Sequence, residues 1–453
     1  MEAQEKVKMR TQDPLKRSQN FKEVELGFNK TEALKEASRC LHCKIPKCVE
    51  GCPVNIMIPD FIAQLKEGNV EKAYEIISES SNLSAICGRV CPQEKQCESK
   101  CVRGIKGESI AIGSLERYVA DEAIKNNFQS LKKKKSNGKK VAIIGSGPSG
   151  LSCAGDLVKE GFDVTIYEVL HQAGGVLVYG IPEFRLPKDI VKKQVESLEQ
   201  LGVKINLNVP VGKAITIDEL KDEYDAIYLG TGAGLPKFMG IEGESAQGVF
   251  SANEILTRIN LMKAYQKGAK TPIKIGKKAY VIGGGNVAMD AVRSLKRLGV
   301  DAHIMYRRSE EELPARKAEV NHAKEEGIKF NLLTNPVKIV VDDDNNVTGL
   351  EVVDMELGEV GEDGRREVTE KKDSNHIVKC DMVVMALGTG PNHLALTDSK
   401  VKLSDRGLII VDGTKTSEKN IYAGGDAVTG AATVILAMEA GKKAAKEIIE
   451  SLS

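Results

Sequence analysis

Hydrophobic and polar positions follow two different patterns along the chain. In the N-terminal region, stretches such as 31–39 and 60–79 are rich in helix-forming residues, and no alternation typical of strands occurs. Further along, an apolar strand predicted at 141–144 precedes a glycine turn, a helix and a second strand at 163–168. The same order recurs at 279–307. Two strand–glycine–helix–strand units on one chain predict two dinucleotide-binding folds.

The C-terminal region contains a further buried strand at 382–386 and a final helix that begins near residue 431. No third glycine fingerprint accompanies them. The simplest topology therefore inserts one nucleotide-binding domain into the other, and the chain returns to the first domain at its end.

Length and charge narrow the class of protein. A chain of 453 residues allows two to four domains, and 41% hydrophobic with 28% charged residues is typical of globular proteins. The net charge of +1 gives no field that would attract nucleic acid or a membrane surface. No apolar run approaches the ~18–20 residues of a membrane helix, and residues 1–20 lack the hydrophobic core of a signal peptide. We therefore expect a cytoplasmic protein with no nucleic-acid or membrane partner.

Eight of the ten cysteines lie between Cys40 and Cys101. Disulfides are rare in a reducing cytosol, so this concentration points to metal. The two groups read Cys40-x2-Cys43-x4-Cys48-x3-Cys52-Pro53 and Cys87-x3-Cys91-Pro92-x4-Cys97-x3-Cys101. In ferredoxin-type runs the cysteine before proline often binds the other cluster. Two groups of four thus predict two 4Fe-4S clusters with interleaved ligands.

A zinc site is the alternative interpretation of these cysteines. Zinc sites usually pair Cys-x2-Cys units across a longer loop, and only Cys40 and Cys43 have that spacing. The two Cys-Pro steps favour iron–sulfur. His42 is interpreted as a neighbour of ligands, while Cys153 and Cys380 stand alone in apolar segments, as buried structural thiols do.

The first glycine turn has the full dinucleotide fingerprint. Gly145 permits a tight turn, Gly147 lets the backbone approach a pyrophosphate, and Gly150 allows close packing of helix on strand. Glu168 ends the next strand, 23 residues after Gly145, where an acid can bind ribose hydroxyls. Both FAD and NAD use such a site.

A second motif near the C-terminus favours FAD. The segment Ile421-Tyr422-Ala423-Gly424-Gly425-Asp426-Ala427 is interpreted as a strand that ends in Gly-Asp, which resembles the second FAD motif of flavoproteins with two dinucleotide-binding domains. There the aspartate binds the ribityl and phosphate side of FAD. The following helix would point its positive N-terminus at the flavin and stabilise the reduced anion. Taken alone, Asp426 would be interpreted as a turn aspartate.

The second glycine turn predicts NADP(H). The succession of strand, glycine turn, helix and strand is the same as at the first turn. At the end of the second strand, however, two arginines replace the acid. Guanidinium groups suit a 2′-phosphate through bidentate, charge-assisted hydrogen bonds. A basic strand end without a ligand is the alternative. The predicted nucleotide residues are Gly283, Gly285, Asn286, Ala288, Arg307 and Arg308, with Arg316 from the next loop.

These motifs, in this order, resemble the glutamate synthase small-subunit family over nearly the whole chain. That family includes the bacterial NADPH-dependent glutamate synthase beta subunit and the iron–sulfur region of dihydropyrimidine dehydrogenase. It also includes the large subunit of the electron-bifurcating NADH-dependent reduced ferredoxin:NADP oxidoreductase. The stretches 20–24 and 40–44 are most similar to this last group.

The resemblance implies specific cofactor ligands. One cluster would be held by Cys40, Cys43, Cys48 and Cys101. The other would be held by Cys52, Cys91 and Cys97 with a non-cysteine ligand, at the position that Glu116 occupies. Cys87 would then bind no iron, whereas the eight-thiolate interpretation uses it. The resemblance also places Gly174, Gly175 and Val176 along FAD, and Arg185 near the isoalloxazine.

The expected fold class is α/β, with an N-terminal α-helical iron–sulfur domain before two Rossmann-like nucleotide-binding domains, one inserted in the other. The predicted limits are 1–135 for the helical domain, 139–250 and 375–453 for the two parts of the FAD-binding domain, and 251–374 for the NADP(H)-binding domain.

The expected activity is electron transfer between NADP(H), FAD and the clusters. Hydride transfer needs no acid–base pair or nucleophile from the protein, so no catalytic side chain is predicted. The resemblance implies a partner: a smaller flavoprotein subunit and ferredoxin in a bifurcating complex, or a glutamate synthase large subunit. A non-catalytic electron-transfer subunit with a regulatory NADP site is the third interpretation.

Overall fold

The computed structural model describes residues 5–128, 133–361 and 364–453. The predicted helical domain, 1–135, includes residues 1–4 and 129–132, which lie outside the described residues. None of the helices in the described ranges is long and apolar enough to cross a membrane.

The α-helices of the described ranges are α1 (Pro14–Arg17), α2 (Lys30–Ala37), α3 (Lys47–Glu50), α4 (Ile58–Lys66), α5 (Val70–Ser80), α6 (Ser84–Val90), α7 (Ile112–Asn126), α8 (Pro148–Lys159), α9 (Val176–Tyr179), α10 (Lys188–Gln200), α11 (Ile217–Glu223), α12 (Ala252–Leu256), α13 (Asn286–Arg297), α14 (Lys317–Glu325), α15 (Asp426–Thr429) and α16 (Val434–Leu452). The β-strands are β1 (Lys140–Ile144), β2 (Asp163–Tyr167), β3 (Lys204–Asn206), β4 (Ala226–Leu229), β5 (Leu235–Pro236), β6 (Val249–Ser251), β7 (Lys278–Ile282), β8 (Asp301–Tyr306), β9 (Lys329–Leu332), β10 (Thr334–Val341), β11 (Val347–Val360), β12 (Arg366–Glu370), β13 (His376–Lys379), β14 (Met382–Met385), β15 (Thr389–Gly390) and β16 (Ile421–Ala423).

Helices α1 to α7 form the N-terminal region, as the residue pattern predicts. The predicted helical stretch 60–79 is split into α4 and α5, because Gly68 adopts a φ of +84° between them. Helix α4 buries Ile58, Phe61 and Leu65, which share one face at the spacing of an amphipathic helix. That face supplies part of the core beneath the cysteine loops.

Two five-stranded parallel sheets form the rest of the framework. The first has the order β16-β4-β1-β2-β3 and the second the order β6-β14-β7-β8-β9. In each sheet, the strand before a glycine turn, β1 or β7, occupies the centre. The predicted α/β class, with one nucleotide-binding fold inserted in the other, is confirmed.

The chain returns to the first sheet later than the predicted limit at residue 375. Strand β14 pairs in parallel with β7 and β6, so it belongs to the second sheet. Only β16 rejoins the first sheet, beside β4. A run of four buried apolar residues cannot tell one parallel sheet from another, because both need such a strand. The antiparallel sheet of β10 to β13, which lies between β9 and β14 in the chain, is absent from the predicted elements.

The hydrophobic core of the N-terminal helices is continuous with that of the first sheet. Ile86 and Leu115 from the cysteine region join one buried cluster with Leu151 of α8 and Met438 of α16. The second sheet has a separate core between α13 and its strands, which includes Val281. The iron–sulfur region and the FAD-type fold therefore share one packed interior.

Buried ion pairs join the second nucleotide-binding fold to the other two regions. The Glu326 carboxylate lies 3.0 Å from Arg17, 2.8 Å from Arg293 and 2.7 Å from Arg297. The Arg297 guanidinium also lies 3.8 Å from the centre of the Phe184 ring. Burial raises the pKa of Glu326, but Arg297 and Arg293 lower it more, to about 2. The carboxylate is therefore ionised and holds three cations in a water-poor interface.

Candidate functional site

Four cysteines line one open cavity in the N-terminal region. These are Cys40, Cys43, Cys48 and Cys101, which come from the first cysteine group and the last position of the second. Burial, and then the thiols of Cys101 and Cys40, raise the pKa of Cys48 to about 11. Crowded thiolates are stabilised when a metal cluster supplies positive charge. The donor set fits a 4Fe-4S cluster, and it is the set that the family resemblance implies.

The remaining ligand candidates lie deeper. Cys52, Cys91 and Cys97 are all buried. Burial and the nearby Glu116 raise the pKa of Cys52 to about 11. Burial raises the pKa of Glu116 to about 8, and its Oε1 atom has no hydrogen-bond partner among the described residues. An unpartnered buried carboxylate is costly unless something binds it, so these four residues fit a second cluster.

Cys87 lies beside this group but has a partner of its own. Its Sγ is 3.3 Å from Met438 Sδ, and both residues are buried. Cys87 also interacts with Cys91. Because Glu116 carries the unpartnered atom, the geometry favours it over Cys87 as the fourth ligand. Both ligand sets stay predictions.

The glycines of the first turn have the geometry that a bound dinucleotide needs. Gly145 has a φ of +100°, and a Cβ there would lie 2.5 Å from the Gly230 carbonyl oxygen. A Cβ on Gly150 would lie 2.0 Å from the carbonyl oxygen of Gly145, so helix and strand pack too closely for a side chain. A Cβ on Gly147 would meet nothing within 4 Å. The open face of the turn is therefore at Gly147, where the pyrophosphate is expected.

The Glu168 carboxylate accepts hydrogen bonds from the first glycine turn. Its carboxylate accepts hydrogen bonds from the Ser146 backbone N–H (2.9 Å), the Ser146 hydroxyl (2.5 Å) and the Leu170 N–H (2.8 Å). A carboxylate has about four acceptor positions, so one is left for a ribose hydroxyl. Ser146 was not singled out from the sequence, although its place between the first two glycines is a usable signal.

Gly174, Gly175 and Val176 lie against the same turn. The Gly174 N–H donates to the Ser146 hydroxyl at 3.0 Å. Gly175 has a φ of +53°, and a Cβ there would lie 2.8 Å from the Cα of Gly147. Val176 begins α9 directly after these glycines. The structure thus brings this segment to the predicted FAD turn.

The second FAD motif packs against α8, the helix that follows the first glycine turn. Asp426 begins α15 directly after Gly425, and a Cβ on Gly425 would lie 3.0 Å from the Cβ of Ser149 in α8. Burial raises the pKa of Asp426 to about 6. Burial, and then the carboxylates of Asp426 and Glu168, raise the pKa of Tyr179 to about 12. The two motifs therefore meet at one place. The predicted helix near residue 431 begins at Val434.

Arg185 is engaged in an interface between domains. Its Nη1 atom lies 2.8 Å and 2.7 Å from the two Asp290 carboxylate oxygens, and its Nε lies 3.2 Å from Glu319. Asp290 and Glu319 belong to the second nucleotide-binding fold, on α13 and α14. The predicted flavin contact of Arg185 stays a prediction, and the structure gives the side chain this second role.

The second glycine turn repeats the first. Gly283 has a φ of +141°, and a Cβ there would lie 2.4 Å from the Ala386 carbonyl oxygen. A Cβ on Gly285 would meet nothing within 4 Å, and Ala288 is fully buried in α13. Asn286, the first residue of α13, accepts a hydrogen bond from the Arg316 backbone N–H at 3.0 Å.

The three predicted phosphate arginines separate into two groups. Arg307 is exposed at the end of β8 and has no partner among the described residues. Arg308 donates through Nε to the Arg366 carbonyl oxygen at 2.8 Å. The Arg316 guanidinium instead binds both carboxylate oxygens of Glu94, at 3.1 and 3.2 Å. Arg307 and Arg308 are thus neighbours in the chain directly after β8, while the Arg316 guanidinium binds the loop that follows Cys91.

Comparison with known proteins agrees with this arrangement. Residues 17–128 match the family described as dihydropyrimidine dehydrogenase domain II, 4Fe-4S cluster, and residues 139–441 match pyridine nucleotide-disulphide oxidoreductase. The small chain of NADPH glutamate synthase from Escherichia coli (strain K12) is 36% identical over 97% of this chain and 96% of its own length. The chain belongs to the glutamate synthase small-subunit family. The family member from Azospirillum brasilense is 34% identical over 95% of this chain and 92% of its own.

Longer proteins contain a similar unit. The beta subunit of NADP(+)-dependent formate dehydrogenase from Moorella thermoacetica is 38% identical over 89% of this chain, which corresponds to 60% of that subunit. Among solved structures, FprA from Mycobacterium tuberculosis in complex with NADPH superposes with a TM-score of 0.59 at 20% identity. That match covers 69% of this chain and 84% of FprA, and it shows the fold alone.

Family membership confirms the expected class of activity. The chain is an NADP(H)-dependent oxidoreductase with FAD and iron–sulfur cofactors, as members of the glutamate synthase small-subunit family are. The individual ligand residues remain the predictions described above.

Proposed function

We propose that this chain carries electrons from NADPH through FAD to two 4Fe-4S clusters and on to a partner protein. The order of the sites supports this path. Cys87, beside the deeper cysteine group, contacts Met438 of α16, and α16 follows the Asp426 motif of the FAD site. The cavity of Cys40, Cys43, Cys48 and Cys101 lies further out and is open to solvent.

The protein's own part in this function is to bind, orient and exclude water. When bound, FAD accepts hydride and the clusters accept single electrons. Gly147 and Gly285 open their turns to pyrophosphates, Glu168 positions a ribose, and Arg307 with Arg308 selects the 2′-phosphate. The shared core fixes the deeper cysteine group relative to the FAD turn.

A direct experiment follows electrons through the purified protein. NADPH is mixed anaerobically with the iron- and flavin-loaded chain, and flavin and cluster absorbance are followed in time. We expect flavin bleaching before cluster reduction. Flavin that NADPH does not reduce would contradict the proposal and favour a non-catalytic subunit with a regulatory NADP site.

For the finer role, we propose the large subunit of an electron-bifurcating ferredoxin:NADP oxidoreductase. The stretches 20–24 and 40–44 support it, as does the recurrence of this unit in subunits of other oxidoreductases. The native complex should then contain a smaller flavoprotein. With it, NADPH should reduce ferredoxin only when NAD is also present, because the downhill electron drives the uphill one. Ferredoxin reduction that does not depend on NAD would contradict this role.

The alternative role is the small subunit of glutamate synthase. The near-complete mutual coverage with the Escherichia coli small chain favours it, since both chains span the same unit. Co-purification with a glutamate synthase large subunit, and formation of glutamate from glutamine and 2-oxoglutarate, would establish this role and exclude the bifurcating one.

A further inference from the structure

Arg316 connects the second nucleotide-binding fold to the cysteine region. It lies directly before α14, and its backbone N–H donates to the Asn286 side chain at 3.0 Å. Its guanidinium donates to the two Glu94 carboxylate oxygens at 3.1 and 3.2 Å, to the Gln93 side-chain oxygen at 3.1 Å and to the Arg89 carbonyl oxygen at 3.3 Å. An arginine side chain has five N–H donors, so these four hydrogen bonds leave at most one for a nucleotide phosphate.

The side chains that bind this guanidinium belong to the loop between two cysteines of the deeper group. Gln93 and Glu94 lie between Cys91 and Cys97, which are both buried and are both predicted cluster ligands. The two alternative ligand sets differ in their use of other residues, but each of them includes these two cysteines. The Arg316 guanidinium is thus bound to a segment that carries cluster ligands under either set.

Gln93 extends this contact to the other residues of the deeper group. Its side chain is buried, and its Nε2 atom donates to the Cys87 carbonyl oxygen at 3.1 Å. A Cβ on Gly113 would overlap the same amide, so Gln93 packs directly on the start of α7, the helix that contains Glu116. Because Arg316 binds the other end of this amide, it fixes the loop against the backbone beside the second cluster site.

The charges of Arg316 and Glu94 form a partly buried pair. The Arg316 side chain is 11% exposed and that of Glu94 is 33% exposed, so solvent screens the two charges only in part. Reduction adds one electron to a cluster. A nearby negative charge therefore opposes reduction, and a nearby positive charge favours it. The Arg316 cation offsets the negative charge that Glu94 brings into the loop.

We propose that Arg316 is a positioning residue that holds the loop at 92–96 and raises the reduction potential of the second cluster by neutralising Glu94. The inference rests on the proposed function, in which this cluster receives electrons that come from FAD. The step takes up one electron, with no bond made or broken. A higher potential makes the cluster a better acceptor, so Arg316 favours the transfer of electrons away from FAD.

The test measures the reduction potential of each cluster in the full, cofactor-loaded chain. The clusters are titrated anaerobically with dithionite and followed by electron paramagnetic resonance, and the signal that Cys97→Ser lacks identifies the second cluster. Arg316→Gln should lower the potential of this cluster, because Glu94 is left uncompensated, whereas Glu94→Gln should raise it. Each variant should change the ratio of reduced to oxidised cluster about tenfold, which is about 59 mV for one electron.

The opposite signs distinguish an effect of charge from a purely structural one. A loosened loop would shift the potential in the same direction in both variants, because each removes the same ion pair. Arg316→Lys keeps the positive charge and should stay closer to the wild-type potential than Arg316→Gln. The matched controls are Lys324→Gln and Glu310→Gln, which remove the charges of an exposed ion pair in the same fold and should leave both cluster potentials unchanged.

Unmoved potentials in Arg316→Gln and Glu94→Gln, or shifts of the same sign, would overturn the inference. If Arg316→Gln loses iron, Glu94→Gln decides alone, and a potential that does not rise in it is then the contrary result. Lost affinity for 2′,5′-ADP in Arg316→Gln, with an unmoved potential, would return Arg316 to the nucleotide site. Because dithionite replaces NADPH in this titration, failure of NADPH to reduce the flavin would overturn the proposed function without deciding the role of Arg316.

Discussion

Removal of Arg307 and Arg308 tests how this protein selects its nucleotide. Arg307 is exposed and without a described partner, and Arg308 has one backbone contact, to the Arg366 carbonyl oxygen. Both guanidinium groups are thus available to a 2′-phosphate at the end of β8. A hydrogen bond to a charged group is worth about 1.5–3 kcal/mol, and exposure favours the lower end. Two such bonds give about 3 kcal/mol, or about 150-fold in affinity.

The assay compares two nucleotides that differ only in this phosphate. Flavin reduction by NADPH and by NADH is followed over a range of concentrations in the wild type and in Arg307→Ala/Arg308→Ala. We expect the apparent Kd for NADPH to rise about 150-fold, while that for NADH stays nearly constant. Arg406→Ala, an exposed arginine outside both turns, is the control.

Two results would refute this reasoning. Equal loss for both nucleotides would mean that the arginines support the fold or the pyrophosphate. Unchanged NADPH affinity would mean that the strand end is basic without contacting the ligand.

The remaining predictions concern the metal and FAD sites. Cys97→Ser should lower the iron content of anaerobically purified protein from about eight to about four per chain, whereas Cys87→Ser should keep it; parallel loss in both would make Cys87 a ligand in place of the carboxylate. Gly147→Ala should leave the stability of the FAD-free protein unchanged, because its Cβ meets no atom, yet lower FAD affinity. Gly150→Ala should cost about 1–3 kcal/mol of stability with or without FAD, measured by thermal unfolding; equal behaviour of the two glycine variants would contradict these assigned roles.

The local parts of this molecule could be predicted because each is encoded in a contiguous stretch. A fingerprint such as that at Gly145 needs a strand, a turn and a helix that follow one another, so its geometry follows from adjacent residues. The same holds for the second turn at Gly283 and for the cysteine spacings.

Contacts between distant segments could not be predicted. Arg316 follows the NADP motif closely in sequence, yet its guanidinium binds Glu94, 222 positions earlier. Arg185 likewise pairs with Asp290 across a domain interface. The sheet that β14 joins depends on which neighbouring edge is free, and a short apolar run carries no such information.

The shared interior of the iron–sulfur and FAD-type regions has a consequence for the timing of the reaction. Closely packed side chains hold the deeper cysteine group and the FAD turn at a constant separation. Electron transfer between these two sites therefore requires no large-scale movement of the protein. The second nucleotide-binding fold has its own interior and is attached through ion pairs. Hinge motions of domains take microseconds to milliseconds, and here such a motion would have to break the buried pairs of Arg17 with Glu326 and of Arg185 with Asp290. Movement of the second nucleotide-binding fold would then limit the rate of hydride transfer from NADPH, while electron transfer to the clusters would take place over a fixed distance.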